Sequence, residues 1–294
     1  MYKITSRWPH QNCLKIEWNL GKRCNFDCSY CPPEIHDNYS PHTNIAVLKR
    51  CVDKLSEIEK PLRISFTGGE PCVHPKISKL FNYIRPYADW INVTTNGTRK
   101  PEWYADQPLD HIVFSLHFET EDWHRCLLNI IDTDKLVDIP IQVNIMAHHQ
   151  HMEDVKTATM LLANEKIKYV IRRIRWTEKH DWFNDMRYKD EDLDWILKNE
   201  ATSLPNCDVD GEYYIHANDI IKKHQNQFKG WRCNIGLESL MINWDGEVHR
   251  ATCRVGGSLG NIYKGNFKLP TDPVTCTRDW CTCAADIPIT KFSA

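Results

Sequence analysis

Three cysteines within eight residues constrain this chain more than any other part of its sequence. Cys24, Cys28 and Cys31 are spaced by three and then two residues, and they directly follow an apolar, strand-like run over residues 14–20. Thiolate ligands select soft centres, zinc or iron–sulfur, over calcium or magnesium. A structural zinc site needs four protein ligands, whereas three ligands leave a position open for a substrate or cofactor. The cluster therefore predicts an open centre; the alternatives are a zinc knuckle completed by His36 or another distant residue, and three unrelated thiols.

Length and charge narrow the class of protein. The chain has 294 residues, enough for one large α/β domain with or without a small appendage. Its formal net charge of −2 gives no global electrostatic reason to expect a nucleic-acid partner. No signal peptide is apparent, and no apolar run approaches the ~20 residues of a membrane span. We therefore expect a cytoplasmic protein without a membrane partner, whose thirteen cysteines serve as thiols and metal ligands rather than disulfides.

Strand and helix patterns alternate along the first two thirds of the chain. Amphipathic helical patterns separate six short apolar runs that predict strands, which are residues 14–20, 63–67, 91–95, 111–117, 140–146 and 169–174. This alternation predicts an α/β fold built from parallel βα units. In such folds ligands gather at the carboxyl ends of the strands, which is where the cysteine loop lies.

A second motif, Gly68-Gly69-Glu70-Pro71, follows the second predicted strand. Two glycines let the backbone approach a ligand closely, and Glu70 offers an acceptor to a cationic group. By itself the motif is most simply a turn from strand to helix. Together with the three-cysteine loop, in which the aromatic Tyr30 precedes the last cysteine, it resembles the signature of the radical S-adenosylmethionine (SAM) enzymes.

This resemblance implies a fold and a chemistry. In that family the three cysteines hold three irons of a [4Fe–4S] cluster and the fourth iron binds SAM, whose reductive cleavage gives a 5′-deoxyadenosyl radical. The resemblance implies a partial (β/α)6 TIM barrel, with Gly68, Gly69 and Glu70 at the SAM amino group. It further implies that Ser115 faces the SAM ribose and that Asn144 faces SAM. The alternative for these two residues is ordinary hydrogen-bonded structure at a strand end.

Three arginines lie near the end of the sixth predicted strand. Strand alternation points Arg173 and Arg175 to one side and Arg172 to the other, so that one set reaches into the barrel. We assign Arg173 to the cofactor site, as a clamp on a carboxylate or phosphate of SAM or substrate; a solvated strand end is the alternative. The histidine-rich run 148–151 is expected to be an exposed start of a helix rather than a metal site.

A second group of cysteines marks the C-terminal part of the chain. Cys233 precedes a predicted hairpin, whose turn is Asp245-Gly246 and which returns the chain to Cys253. Three further cysteines follow, and these are Cys276, Cys281 and Cys283. Five cysteines around a hairpin can supply four metal ligands with one spare. A zinc ribbon is the competing interpretation, which spacing alone does not exclude.

This tail resembles the SPASM extension of radical SAM enzymes, in the short form called twitch, which holds one auxiliary [4Fe–4S] cluster. The resemblance implies ligation by Cys233 and Cys253 together with two of the other three cysteines. The expected fold is thus α/β, a partial barrel followed by a small iron–sulfur subdomain that contains a β-hairpin. We divide the chain into the barrel (10–200), a linker or helical connection (201–228) and the auxiliary-cluster domain (229–294).

The family resemblance leaves the reaction open. One auxiliary cluster in a twitch domain is shared by dehydrogenases of aminocyclitol alcohols and by the molybdenum-cofactor cyclase, whose C-terminal glycine tail has no counterpart in residues 291–294. We expect hydrogen abstraction from a small polar substrate, such as a sugar or an aminocyclitol, followed by oxidation through the auxiliary cluster. A flavodoxin or ferredoxin is the expected reductant.

Three alternative functions are kept. Epimerisation is the closest, because the thiol of Cys126 could return a hydrogen atom to a substrate radical. Peptide modification in trans is the second; the few residues before the first strand leave no room for a leader-binding domain. An iron–sulfur or zinc-binding adaptor is the non-enzymatic alternative.

Overall fold

Short runs of alternating polar and apolar residues form the strands of two sheets. The computed structural model describes residues 3–6, 12–174, 188–199, 205–211 and 213–293, and these residues contain fifteen strands. In chain order the strands are β1 (Lys3–Ser6), β2 (Leu14–Asn19), β3 (Leu62–Thr67), β4 (Trp90–Thr95), β5 (His111–Leu116), β6 (Ile141–Ala147), β7 (Tyr169–Arg173), β8 (Cys207–Val209), β9 (Tyr213–Ile215), β10 (Arg232–Cys233), β11 (Ser239–Ile242), β12 (Glu247–His249), β13 (Ser258–Asn261), β14 (Val274–Thr275) and β15 (Lys291–Phe292).

Seven α-helices occur in the described residues. They are α1 (Ile45–Ser56), α2 (Ile77–Ile84), α3 (Pro101–Ala105), α4 (Trp123–Leu136), α5 (Met152–Asn164), α6 (Asp190–Asn199) and α7 (Ala217–Lys222). Helix α1 shows how local sequence sets a boundary, because Asn44 Oδ1 accepts from Ala46 N at 2.8 Å and caps a free amide of the first turn.

The larger sheet carries the six predicted strands. Its order is β13-β12-β11-β2-β3-β4-β5-β6-β7, and every neighbouring pair from β2 to β7 is parallel. The connections between these strands are helical, as parallel pairing requires. The prediction of an α/β fold with a partial barrel is therefore confirmed.

Each barrel strand has an apolar face and a polar face. In β2, Leu14, Ile16 and Trp18 are buried in the main core, whereas Lys15 and Glu17 between them are partly exposed. The apolar residues pack against the helices, because a parallel sheet with crossover helices must bury that side. We call the opposite, polar side of the sheet the lumen face.

The predicted C-terminal hairpin is present and extends the barrel sheet. Strands β11 and β12 pair in antiparallel fashion, with Met241 opposite His249. Strand β11 also pairs in parallel with β2, where Ser239 lies opposite Lys15. The hairpin thereby brings the C-terminal cysteines next to the first barrel strand.

A second, antiparallel sheet joins distant parts of the chain. Its order is β14-β10-β15-β1-β8-β9, so the first strand of the chain pairs with both a C-terminal strand and the connecting segment. The region predicted as a linker or helical connection, 201–228, contains strands β8 and β9 as well as helix α7. The sequence pattern did not predict β8 and β9, because strands of three residues are too short to show alternating polar and apolar residues. The domain boundaries given above stay predictions.

Within the described residues, no helix combines the length and the apolar character that crossing a membrane demands.

Candidate active site

The cysteine loop, residues 20–37, leaves the carboxyl end of β2 and folds back on itself. Asp37 closes it, because its carbonyl accepts from Cys24 N at 2.7 Å and its own N–H donates to Lys22 O at 3.0 Å. The Asp37 carboxylate also lies 3.3 Å from Lys22 Nζ. These contacts fix the start and the end of the loop, so that its thiols stay at the mouth of the barrel.

The three thiols of this loop have surroundings that suit a soft metal centre. Burial raises the pKa of Cys24 to about 11 and that of Cys28 to about 12, and it also raises the pKa of Cys31. Deprotonation of these thiols is therefore coupled to the binding of a cationic centre. Phe26 N donates to Cys24 Sγ at 3.3 Å, which favours the thiolate form. Three thiols in one loop with this donor fit a [4Fe–4S] cluster that keeps one iron free.

The zinc-knuckle alternative finds no free ligand atom at His36 Nε2. His36 is buried and donates from Nε2 to Phe26 O at 2.7 Å, so this nitrogen is occupied by the backbone. In the described part of the chain, no group of three or more His, Cys, Asp or Glu side chains is placed to hold a single metal ion. A cluster differs from a single ion because each thiolate binds a separate iron, so the sulfur atoms stand further apart.

Glu119 ties the cysteine loop to the end of β5. Its Oε2 accepts from Ser29 N at 2.8 Å, and its Oε1 accepts from Ser29 Oγ at 2.6 Å. His148 Nε2 lies 3.3 Å from the same carboxylate. The prediction that the run 148–151 is exposed is wrong for His148, whose side chain is 2 % exposed because it packs beside Glu119.

A neutral histidine contacts both the aromatic residue and one thiol of the loop. The Tyr30 hydroxyl lies 2.5 Å from His117 Nδ1, and Cys28 Sγ lies 3.6 Å from the same nitrogen. The two rings are stacked, with their centroids 6.0 Å apart. Burial lowers the pKa of His117 to about 4. This contact was not predictable from a sequence pattern, because Tyr30 and His117 are 87 residues apart.

The two glycines after β3 allow the cysteine loop to pack against that strand end. A Cβ on Gly69 would lie 2.2 Å from Lys22 O and 2.4 Å from Arg23 O. Gly68 has φ +132°, a conformation that glycine adopts at low cost, and a Cβ there would lie 2.6 Å from Asn19 Oδ1. The two glycines thus allow the backbone after β3 to pack directly against the backbone of the cysteine loop, beside the candidate cofactor site.

Glu70 accepts three hydrogen bonds from the protein. Its Oε1 accepts from Cys72 N and Thr95 Oγ1, each at 2.8 Å, and its Oε2 accepts from Asn96 N at 2.6 Å. Burial raises the pKa of this carboxyl. Asn96 in turn donates from Nδ2 to Asn25 Oδ1 at 2.9 Å, inside the cysteine loop. Glu70 therefore joins the ends of β3 and β4 to that loop.

Ser115 and Asn144 lie side by side on the lumen face, because the register pairs them across β5 and β6. Arg172 Nε donates to Asn144 Oδ1 at 3.3 Å. Arg173, the arginine assigned to the cofactor site from the sequence, pairs with Ala147, which belongs to the buried helix side. The register thus places Arg172 rather than Arg173 on the lumen face.

Two residues named from the sequence do not join this group. Cys126 is 1 % exposed and lies in α4 within the core between the helices and the sheet, on the opposite side from the lumen face. Burial raises the pKa of its thiol to about 11. Its role as a hydrogen donor stays a prediction without geometric support. Arg175 lies outside the described residues.

The comparison with protein families decides the identity of this arrangement. The family model described as Radical SAM superfamily matches residues 18–177, more than half of the chain. The chain belongs to the radical SAM superfamily. The resemblance carried by the cysteine loop and the glycine motif is therefore confirmed, and membership implies a [4Fe–4S] cluster and SAM as cofactors.

Relatives of this radical SAM protein differ in their named activities. A GTP 3′,8-cyclase from Syntrophomonas wolfei is 39% identical over 279 residues, which cover 86% of this chain and 81% of the relative. An Fe-coproporphyrin III synthase from Methanosarcina barkeri is 30% identical over 287 residues, which cover 86% and 72%. The superfamily is thus clear, whereas the relatives name more than one reaction.

Solved structures support the fold of this radical SAM protein. Native anSMEcpe with bound AdoMet and Kp18Cys peptide superimposes with a TM-score of 0.59 at 16% identity, covering 86% of this chain and 78% of that one. SuiB from Streptococcus suis bound to S-adenosylmethionine gives a TM-score of 0.56 at 13% identity, covering 86% and 64%. At these identities the likeness concerns the fold alone.

Four of the five C-terminal cysteines of this radical SAM protein line one cavity. They are Cys233, Cys253, Cys276 and Cys281. Cys283 is absent from the lining, and the carboxylates of Asp286 and Glu17 are close enough to raise the pKa of its thiol further, after burial. The four cysteines around one cavity would suit a single auxiliary [4Fe–4S] cluster, and the choice of its ligands stays a prediction.

Two cations border the same cavity. Lys291 is 2 % exposed, and its Nζ donates to the carbonyl oxygens of Asp286, Ile287 and Ile289 at 3.0, 2.6 and 2.8 Å. Arg278 donates from Nη2 to Cys253 O at 3.0 Å. A buried ammonium is costly unless negative charge lies nearby, and a cluster bound by four thiolates supplies that charge.

Sequence reasoning missed the polar residues of β2. Lys15 and Glu17 line a cavity of about 410 Å³ between the lumen face and segment 284–289. Their alternation with Leu14, Ile16 and Trp18 was the signal that could have found them, because a strand buried on both faces would be apolar throughout.

Proposed function

We propose that this radical SAM enzyme oxidises a small polar substrate by hydrogen abstraction, with an auxiliary [4Fe–4S] cluster as acceptor of the second electron. The observation that carries the proposal is the ring of four cysteines around one cavity. Four thiolates for four irons leave no iron open for a substrate, so a closed cluster of this kind transfers electrons. Asp286 lines both this cavity and the lumen cavity, so an electron acceptor bound here would be next to the proposed substrate site.

The first cofactor site is assigned to the barrel mouth. Cys24, Cys28 and Cys31 would hold the SAM-binding cluster, since they lie in one loop with raised thiol pKa values and an N–H donor on Cys24 Sγ. When bound, this cluster and SAM supply the 5′-deoxyadenosyl radical. Glu70 holds the backbone beside the loop through the hydrogen bonds that it accepts, and its contact with the SAM amino group stays a prediction.

The lumen face would orient SAM and substrate. Ser115 and Asn144 are neighbours there. Arg172 adds a cation, and its Nε donates to the amide oxygen of Asn144. Because Arg172 lies on this face, we transfer to it the carboxylate-binding role that the sequence suggested for Arg173. A guanidinium is suited to such a role because it binds a carboxylate with two parallel hydrogen bonds.

The oxidation balances as the loss of two electrons and two protons from the substrate. The SAM-binding site would supply the acceptor of one hydrogen atom, and the cluster held by Cys233, Cys253, Cys276 and Cys281 would supply the acceptor of one electron. A carboxylate of the lumen cavity, Glu17 or Asp286, would take the remaining proton, so that a carbinol carbon becomes a carbonyl carbon. Lys291 and Arg278 favour the electron transfer, since reduction adds negative charge beside them.

A second candidate function is GTP 3′,8-cyclisation. It is favoured by the relative that bears this name and is 39% identical to the chain. Incubation with GTP separates the two functions, because only a cyclase forms a cyclised nucleotide from GTP. A closed, four-cysteine auxiliary cluster argues for the oxidation instead.

The experiment that tests the radical function uses the full chain reconstituted with iron and sulfide under anaerobic conditions. Dithionite and SAM are added, and release of 5′-deoxyadenosine is measured; flavodoxin or ferredoxin then replaces dithionite. We expect release by the wild-type protein and none by Cys28→Ala. Protein that binds iron but releases no 5′-deoxyadenosine would be an adaptor and would contradict the proposal.

A further inference from the structure

The lumen cavity carries charges of both signs, and their placement points to a class of substrate. The cavity of about 410 Å³ lies between β2, β3 and β4 on one side and segment 284–289 on the other. Its volume falls in the usual range of pockets for small ligands. Ser65 and Asn92 supply neutral polar groups at its wall. Polar side chains therefore line it beside the charged ones.

Lys15 provides the positive charge on one wall. It lies at the start of β2, on the lumen face, and burial lowers the pKa of its ammonium. Within the part of the chain that the structure describes, no ion pair or hydrogen bond of the Lys15 ammonium is found. Arg63 on the neighbouring strand adds a second cation, 4.7 Å from the centre of the Trp90 ring. An anionic group of a ligand is the natural partner for this end of the cavity.

Glu17 and Asp286 provide two carboxyl groups at the next level of the cavity. Glu17 is two residues beyond Lys15 on the same face of β2, which is about 7 Å along the strand. Asp286 belongs to the segment that covers the cavity, and its side chain is more than nine-tenths buried. The carboxyl group lies beside Cys253 N and the Cys283 side chain, which supply hydrogen bonds to it, whereas its Oδ2 has no hydrogen-bond partner among the described residues. A buried acceptor without a donor in a ligand cavity calls for a donor on the ligand.

We propose that this cavity binds a zwitterionic substrate, whose primary ammonium lies between Glu17 and Asp286 and whose carboxylate or phosphate lies at Lys15. The inference rests on the proposed function and gives its substrate a chemical class. A neutral sugar would leave the Lys15 ammonium and Asp286 Oδ2 without a partner, which is unfavourable. A purely anionic ligand would meet the two carboxylates, and a purely cationic ligand would meet Lys15 and Arg63.

The test measures binding of simple probes to reconstituted holoenzyme saturated with SAM, by saturation-transfer NMR. γ-Aminobutyrate and 3-aminopropyl phosphate carry both charges and differ in the anion; n-butylamine, butyrate and n-butanol carry one charge or none. We expect both zwitterions, or one of them, to bind about tenfold more tightly than any of the other three probes. Preference between the two zwitterions identifies the anion as carboxylate or phosphate.

Variants assign the contacts. Glu17→Gln and Lys15→Met should each weaken zwitterion binding about tenfold, because one charge–charge contact is removed. Glu153→Gln, at a side chain that is 89% exposed, is the matched control and should bind as the wild type does. Asp286→Asn serves as an independent variant if Glu17→Gln loses its iron.

Zwitterions that bind no better than n-butanol, or equally well to wild type and to Glu17→Gln, overturn the inference. Equal binding of n-butylamine and γ-aminobutyrate overturns the role of Lys15. Release of 5′-deoxyadenosine, measured on the same samples, separates the two levels of proposal. Protein that releases it but binds no zwitterion refutes only the substrate class, whereas protein that releases none refutes the proposed function.

Discussion

Asn96 donates from Nδ2 to Asn25 Oδ1 at 2.9 Å, and this bond joins the end of β4 to the cysteine loop. The backbone of Asn96 is itself held by Glu70, whose Oε2 accepts from Asn96 N at 2.6 Å. Asn25 Nδ2 donates onward to Thr98 Oγ1 at 3.2 Å. The loop that carries the proposed cluster is therefore held by side-chain bonds from the adjacent barrel strand as well as by its own turns.

The bond between Asn96 and Asn25 should affect SAM cleavage more than folding. Replacing Asn96 by alanine removes the amide donor but keeps the backbone bond to Glu70. We expect 5′-deoxyadenosine release to fall by about tenfold, since a loosened loop loses on the order of 1 kcal/mol of positioning energy. The control is Asn82→Ala, which removes a comparable bond to Ser78 O at 2.8 Å on α2. Equal rates for the two variants would refute the positioning role.

Gly69 should be intolerant of any side chain. A Cβ at this position would lie 2.2 Å from Lys22 O and 2.4 Å from Arg23 O, and both oxygen atoms belong to backbone that cannot move without the loop. Gly69→Ala should therefore lose the SAM-binding cluster, so that iron per chain falls by about half of the amount expected for two clusters. Gly21→Ala is the matched control, because a Cβ there meets nothing within 4 Å. Iron analysis and the visible spectrum of the reconstituted proteins decide the matter; full iron in Gly69→Ala would contradict the packing argument.

The two neighbouring cysteines near the C-terminus should behave differently. Cys281 lines the cavity with Cys233, Cys253 and Cys276, whereas Cys283 does not. In a background that carries Cys28→Ala, only the auxiliary cluster contributes iron. We expect Cys281→Ala to lose most of this iron and Cys283→Ala to retain about four irons per chain. Loss of iron in Cys283→Ala with retention in Cys281→Ala would exchange the assignments of the two residues.

The barrel was predictable because its signals are local. Six apolar runs alternate with helical patterns, and the cysteine loop and the glycine motif each lie within one short segment. The contacts that organise the site were not predictable, because they join distant segments. Glu119 reaches Ser29 across 90 residues, and β1 pairs with β8 across about 200.

Other points depended on register and on the shape of a cavity. The choice between Arg172 and Arg173 follows from the pairing of β6 with β7, which no pattern within β7 reveals. The spare cysteine likewise could not be chosen from spacing, because Cys276, Cys281 and Cys283 are close in sequence and only the fold shows which of them line one cavity.

Glu17 should make the stability of the protein depend on pH. Burial, and next the charge of Asp286, raises the pKa of Glu17 from 4.5 to about 7. Between these two values the folded state holds a proton that the unfolded state has lost, so this residue destabilises the fold increasingly as the pH rises from 4.5 to 7.

Glu17→Gln removes that penalty. We expect the variant to be more stable than wild type at pH 8 by about 1 to 3 kcal/mol and to show a much smaller gain at pH 5. Urea unfolding of the metal-free, reduced proteins at both pH values measures the difference, with Glu153→Gln as control; a gain of equal size at pH 5 and pH 8 would show that Glu17 is not protonated in the folded state. A gain at pH 8 that is much smaller at pH 5, combined with weaker zwitterion binding by the same variant, would identify Glu17 as a residue kept for its ligand at a cost to stability.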